Sequence, residues 1–471
     1  MQKSVIKTKI MFLKGKMKVM SAANEKKFDL TEGPILNKLL LVAVPIMGTQ
    51  MMQMAYNLTD MFWLGRVGSV AVAASGTAGM YLWLSQAFLM IGRMGAEIGV
   101  SQSLGRRDKK TACTYAQNAL FLAVVLGIIF AALMIAFRNP LIGFFQIKDH
   151  EVVSQSVVYL VITSLGIPAT FISGMVTGTF NAFGNSKIPF FINGTGLIIN
   201  MVLDPLLIFT FDMGIAGAAI ATILAQIIVA VLFLVSMKVV KNRPFEKFDI
   251  IAKPDSKVIK QIFAWSIPIA LESMFFTMLS MIISRFVAAF GTSAMAAQRV
   301  GSQVESLSWL IGGGFASAVT AFMGQNFGAN KWKRIHKGYR ISSQAMLIWG
   351  GFITVVLLLG GQALIGAFLS DPEAVKMGAS YLKILAVCQI VACLEYNSAG
   401  AFRGIGKTIP PSLVSIASNA MRIPLIYVLS NTSLGLDGIW WGITLGSVVR
   451  SLWMLGWYVA MARKMPKEDV L

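Results

Sequence analysis

The chain has 471 residues, of which 56% are hydrophobic and only 13% charged, with a mean hydropathy of +0.70; an ordinary soluble domain is about 25% charged. That composition belongs to an all-α polytopic membrane protein, and three cysteines (Cys113, Cys388, Cys393) with two histidines (His150, His336) leave no disulfide framework and no Cys/His metal cluster. The net charge of +20 would suit nucleic acid, but its placement along the chain argues for a membrane surface instead.

Residues 1–27 are broken by lysines and hold no apolar core of signal-peptide length. They read as a basic tail, and Met20 is an alternative start, because 24–34 leads into a helix. A bilayer takes about 20 largely apolar residues per helix. Twelve segments qualify: 36–65, 70–98, 112–137, 154–180, 188–211, 214–238, 258–290, 294–323, 340–367, 376–402, 409–430 and 437–462. The expected organisation is a tail (1–35), a first lobe of six helices (36–238), a basic linker (239–257), a second lobe of six (258–462) and a short tail (463–471).

Placing the N-terminal tail and every even-numbered loop on one side gathers most of the basic residues there, among them Arg106, Arg107, Lys109, Lys110, Lys331, Lys333, Arg334, Lys337, Arg463 and Lys464. The other side keeps little beyond Arg66, Arg138, Lys148 and Lys376. This is the positive-inside asymmetry. It predicts a multi-pass plasma-membrane protein, cytoplasmic at both termini, whose basic face meets anionic lipid rather than nucleic acid.

The sequence repeats itself. Pro45-Ile46 recurs as Pro268-Ile269, Gly68 with Ala71 and Ala74 as Gly291 with Ala294 and Ala297, and Gln102 and Gly105 as Gln325 and Gly328. Further on, Asp149, Tyr159, Gly178, Gly184 and Pro189 recur as Asp371, Tyr381, Gly400, Gly406 and Pro411. Each copy holds an even number of helices, so both enter from the same side. The lobes are therefore related by a pseudo-two-fold axis along the membrane normal, a plan suited to alternating access by rocking. Buried acids break the symmetry: Asp60 falls opposite Ile283, and Glu272 opposite Thr49.

An acid inside a bilayer is costly unless paired, hydrated or protonated, so Asp60 in the first helix is a functional candidate. Asn200 and Asp204 lie four residues apart, on one face of helix 5. Helical rise places Tyr159 of helix 4 at a similar depth, as it does Thr222, about 12 Å below the start of helix 6. Two neighbouring carboxylates share a proton, or bind a small cation with amide and hydroxyl oxygens. Pro205 should loosen the helix ladder there and expose carbonyls. The alternatives are an Asp60–Arg66 ion pair, a solvated helix end for Asp204, an interfacial aromatic for Tyr159 and a hydroxyl bonded to its own helix for Thr222. In the second lobe Glu272, Glu305 and Arg422 fall near mid-membrane, either as a polar cluster for substrate or ion, or as a mutual salt bridge. Arg93 and Glu97 form an i,i+4 pair read as structural.

These features together resemble the multidrug and toxic compound extrusion (MATE) family over nearly the whole chain. The resemblance rests on 60–68 followed by Ala71–Ala74, on 178–189, on Asn200-x-x-x-Asp204-Pro205, and on their second-lobe echoes around Gly291 and 400–411. It implies export of cationic, amphipathic small molecules in exchange for H⁺ or Na⁺. It also implies that Asp60, Asn200 and Asp204 carry cation coupling, holding Na⁺ transiently if sodium is the ion, while Tyr159 and Thr222 join them less directly. Glu272 is a rough match to the second-lobe acids of NorM-like members, whereas Glu395 sits away from their position. No resident cofactor or structural metal is expected, and the unit is expected to be a monomer. The alternative within transport is a lipid-linked oligosaccharide flippase of the same superfamily, which wants a strongly cationic cavity for pyrophosphate. An enzyme is not expected, since no nucleophile–base pair or phosphate-binding loop occurs.

Overall fold

The computed structural model describes residues 28–241 and 243–469. The basic segment 1–27, with its alternative start, lies outside the described residues. The first half forms α1 (Ile35–Val67), α2 (Ser69–Gly105), α3 (Lys109–Ala136), a short α4 (Arg138–Gly143), α5 (His150–Leu165), α6 (Ile167–Phe183), α7 (Lys187–Pro205) and α8 (Gly214–Val239). The second forms α9 (Ser256–Ala288), α10 (Thr292–Gly328), α11 (Trp332–Gly366), α12 (Pro372–Gly404), α13 (Ile409–Ser430) and α14 (Leu436–Ala462). Counting α5 and α6 as one bent rod gives twelve rods in two lobes of six. Among the described residues, nine single helices are long and apolar enough to cross a membrane and the bent pair makes a tenth. The remaining two, α2 and α14, have 37 and 27 residues.

The repeat is written into the local structure. α1 and α9 both have 33 residues and an internal proline, Pro45 and Pro268. α2 and α10 both have 37 residues, N-capped by Gly68 and Gly291. Asp149 caps α5 by accepting from the Glu151 and Val152 amides, and Asp371 caps α12 by accepting from Glu373 and Ala374. Gly184 and Gly406 follow α6 and α12 with φ of 92° and 79°, the left-handed region that favours glycine.

The lobes differ where proline differs. The fourth rod, expected as one helix over 154–180, is broken between α5 and α6 with a bend of 45°. Gly166 and Pro168 stand at the break, and the register that pairs Asp149 with Asp371 puts Cys388 and Ile390 opposite them. Proline lacks an N–H and disfavours helix in the residue before it, so the first lobe breaks where α12 runs unbroken. Helices also run beyond the apolar windows. α11 begins at Trp332 rather than near 340, because apolarity marks what lipid covers and not where the helix starts.

The two described chain ends lie on one face, where Leu30 O accepts from the Arg334 guanidinium and Asp469 Oδ1 from the Lys333 amide. The lobes meet toward that terminal face. Gln102 Nε2 on α2 donates to Gly404 O at 2.9 Å, and its repeat partner Gln325 Nε2 on α10 donates to Ala182 O at 2.7 Å. A Cβ on Gly105 would strike the Gln325 carbonyl, and one on Gly328 the Gln102 carbonyl, so the two helices cross with glycine facing backbone on both sides. Ser266 Oγ donates to Ile91 O, and Ser317 Oγ to Glu97 Oε1. The pair Arg93 and Glu97 thus sits on a helix that forms the seam, with Glu97 fully buried against the other lobe.

Candidate functional site

α1, α5, α7 and α8 bring the first-lobe candidates together. Asn200 and Asp204 share one face of α7 as helical spacing requires, both are fully buried, and Asn200 Nδ2 donates to Asp204 Oδ1 at 3.0 Å. Tyr159 of α5 and Thr222 of α8 are buried nearby, at 5% and 7% exposure, so neither Tyr159 nor Asp204 is an interfacial side chain. Asp60 of α1 lies within electrostatic reach of both Asp204 and Tyr159. Beyond Pro205 the chain widens into a π-helical turn, Leu206–Thr210, closed by the Phe211 amide on Leu206 O. The ladder loosens there as a proline that offers no N–H allows.

Asp60 is not paired with Arg66. The Arg66 guanidinium lies over the rings of Phe62 and Trp63, at 4.7 and 5.8 Å, a cation–π arrangement. Instead, Asp60 Oδ1, Asp204 Oδ2, Asn200 Oδ1 and the Tyr56 hydroxyl are buried and make no hydrogen bond within the protein. Tyr56, which sequence reasoning missed, lies beside Thr222, Asp60 and Asp204. Its signal was available: it precedes Asp60 by four residues and so shares its helix face. Three of the four orphan atoms are carboxylate or amide oxygens that can only accept. A buried polar group without a partner costs free energy, and a proton or a small oxygen-loving cation is what these acceptors lack. Two carboxylates with one amide define the site; among the described residues no trio of His, Cys, Asp or Glu is placed to hold a metal.

The second-lobe candidates do not form one cluster. Glu272 of α9 faces Arg403 of α12 at 3.6 Å and accepts from Ser412 Oγ. Glu305 of α10 accepts from the Tyr381 hydroxyl at 2.9 Å. Arg422 of α13 donates to Ser447 Oγ at 2.7 Å. The mutual salt bridge among Glu272, Glu305 and Arg422 therefore does not form, because each finds a nearer partner. A tight ion pair, buried on its acid side, forms elsewhere: Glu395 of α12 with Arg450 of α14 at 2.9 Å, and Ser451 also donates to Glu395. Sequence reasoning weighed Glu395 only as an acid and passed over Arg450. Their partnership joins residues 55 apart, which periodicity on one helix cannot reveal.

A family model described as MatE matches residues 45–206 and 268–428. A probable multidrug resistance protein NorM of Thermotoga maritima is 27% identical over 443 residues, covering 93% of this chain and 94% of that protein. A probable multidrug resistance protein YpnP of Bacillus subtilis is 28% identical over 421 residues, covering 89% and 93%. A solved structure described as the outward-facing conformation of a multidrug resistance MATE family transporter of the MOP superfamily superposes with a TM-score of 0.87 at 21% identity, covering 94% of this chain and 99% of that one.

Proposed function

The chain belongs to the MatE family, and from that premise we propose that it is a secondary active efflux transporter that exports cationic, amphipathic small molecules in exchange for H⁺ or Na⁺. The relatives named for multidrug resistance support small-molecule drugs or toxins as cargo. The observation that carries the coupling is the group of buried acceptor oxygens on Asp60, Asn200 and Asp204 without donors, contributed by two helices of one lobe and flanked by Tyr56, Tyr159 and Thr222.

The geometry supports one mechanism. The lobes are clasped at the terminal face, which on this reading of the basic asymmetry is cytoplasmic, and the proposed coupling site lies in the other half of the first lobe. A proton or Na⁺ arriving from outside would satisfy Asp60 and Asp204 together and draw α1 toward α7, which the π-helical turn after Pro205 leaves deformable. That movement would disfavour a cationic cargo bound between the lobes, so ion entry would drive cargo release. The coupling is reciprocal: bound cargo weakens ion binding by the same factor. On this reading the protein works as a monomer in the plasma membrane with both termini cytoplasmic. A flippase for a pyrophosphate-linked cargo needs unpaired cations, whereas Arg403 and Arg450 face carboxylates. The test is dye efflux from inverted vesicles driven separately by imposed pH and Na⁺ gradients. Efflux under one gradient is expected, and none under either would overturn the proposal.

A further inference from the structure

The segment between α8 and α9 is built as a docked element. Phe245 and Phe248 are buried in the first lobe's core and stack at 6.0 Å with their planes 14° apart. Arg243 donates to the carbonyls of Lys238, Phe245 and Glu246, which fixes the chain's turn away from α8. Three side chains of α3 then hold it: Cys113 Sγ donates to Lys247 O, Gln117 Nε2 to Asp249 O at 3.3 Å, and Asn118 Oδ1 accepts from the Asp255 amide at 2.7 Å.

Docking leaves a groove of about 430 Å³ between the linker and the start of α3. Lys109, Lys110 and Lys247 line it with Thr114 and Gln117, against the single carboxylate of Glu246. The groove is therefore cationic, with hydroxyl and amide groups at hand. Where Gln117 pins Asp249 O at the groove's edge, the chain turns out Ile250 and Ile251, exposed by 38% and 97%. An isoleucine standing that free, on an irregular segment between two membrane-length helices, has no partner among the described residues.

We infer that this groove holds the phosphodiester headgroup of an anionic phospholipid, with the lysines on the phosphate and Ile250–Ile251 among the acyl chains. Charge complementarity selects the headgroup: lysines near a membrane surface draw anionic lipid and are neutral toward zwitterionic lipid. The apolar pair selects a lipid over a free phosphate, since a soluble anion gains nothing from Ile251. The linker is also the segment that joins the lobes, so a lipid held there would tie the first lobe's edge of the hinge to one leaflet. The site goes beyond general attraction of a basic face, because it names one groove and one exposed apolar anchor.

The test uses the full chain in detergent, incubated with equimolar phosphatidylglycerol and phosphatidylethanolamine and read by native mass spectrometry, with sn-glycerol 3-phosphate as the soluble arm. Wild type should retain phosphatidylglycerol in preference. Each of Lys109→Gln, Lys110→Gln and Lys247→Gln should lower that retention about fivefold. Lys337→Gln with Lys467→Gln, on the same face but away from the groove, should leave it unchanged. Ile251→Ser should weaken lipid retention without changing any binding of glycerol phosphate. Lys247→Gln lies outside every helix, so it reports even where the α3 variants unfold. Retention indifferent to Lys247, or glycerol phosphate held as well as the lipid and indifferent to Ile251, would overturn the inference. The readout is binding, so a failure of transport coupling would leave it standing.

Discussion

In the first lobe Tyr159 lies within electrostatic reach of Asp60 and Asp204; in the second its repeat partner Tyr381 donates to Glu305, with Arg422 within electrostatic reach. The scaffold around the two tyrosines is shared, down to the aspartate that caps each helix. The balance of charge is not. The second lobe holds Glu272, Glu305 and Glu395 with Arg403, Arg422 and Arg450, of which Glu395 and Arg422 are buried, and joins them through ion pairs and hydroxyls. Around Asp60 and Asp204 no basic side chain comes within ion-pair distance among the described residues, and the one nearby arginine lies on aromatic rings. A lobe that supplies its own cations has no use for a transported one. A lobe that lacks them must find a cation elsewhere, which is the ground for proposing the first lobe as the seat of coupling and the second as a counterweight.

The widest gap expected is between one acid in each lobe. Asp60→Asn should lower ion-driven efflux by about 100-fold, the upper range of a coupling free energy, while the protein still folds and inserts. Glu305→Gln keeps an acceptor for Tyr381 and should change efflux by less than about threefold. Initial rates of dye efflux in matched vesicles measure both. Equal losses would erase the distinction between the lobes.

Stability should sort the other way. Arg450→Met leaves Glu395 buried without its cation, a loss of about 3–5 kcal/mol, visible as a large fall in melting temperature in detergent. Replacing both residues with methionine should recover much of it, because an apolar pair is no worse than an ion pair in such a place. Asp204→Asn removes a charge that no protein cation balances and should cost little. A fall in melting for Asp204→Asn as large as that for Arg450→Met would show that the first-lobe acids are structural after all.

A third measurement joins ion and cargo. Cargo affinity in detergent should weaken as Na⁺ or H⁺ rises, by about 5- to 150-fold if coupling has its usual size. The Asp60→Asn, Asp204→Asn double variant should show no such competition. Competition that survives in it would move attention to Glu272 and Glu305.

The fold was legible because two signals repeat: apolar runs of membrane length, and landmarks such as Gly68/Gly291 and Asp149/Asp371 that recur in order. Asn200 and Asp204 were legible because local helical spacing alone puts them on one face. Most of what escaped was decided across helices, the break after Leu165 being the local exception. The break at Gly166 hides inside an apolar run. Arg450 finds Glu395 only because α12 packs on α14, and Arg66 turns to Phe62 and Trp63 although an acid lies on its own helix. Tyr56 could have been found by extending the Asp60 face one turn back.

The smallest effect concerns the clasp, where the repeat is nearly perfect and the surviving difference is one hydrogen bond. Gln102 donates to Gly404 O. Gln325 donates to Ala182 O, and its Oε1 also accepts from the Leu30 amide at 2.9 Å. Each bond is worth about 1 kcal/mol net, with a further cost when a buried partner is left unpaired. Gln102→Ala should therefore shift the balance between closed and open terminal faces by about fivefold, and Gln325→Ala by more, because the buried Leu30 amide loses its acceptor as well. The Leu30 carbonyl keeps its bonds from Arg334, so the segment before α1 stays tethered at one end. Spin–spin distances between labels on the terminal ends of α2 and α10 would report the open fraction for each variant. Equal shifts would mean that Leu30 contributes nothing to closure and that the clasp is symmetric in energy as well as in sequence. A larger shift for Gln325→Ala would make the chain just before α1 a working part of the seam.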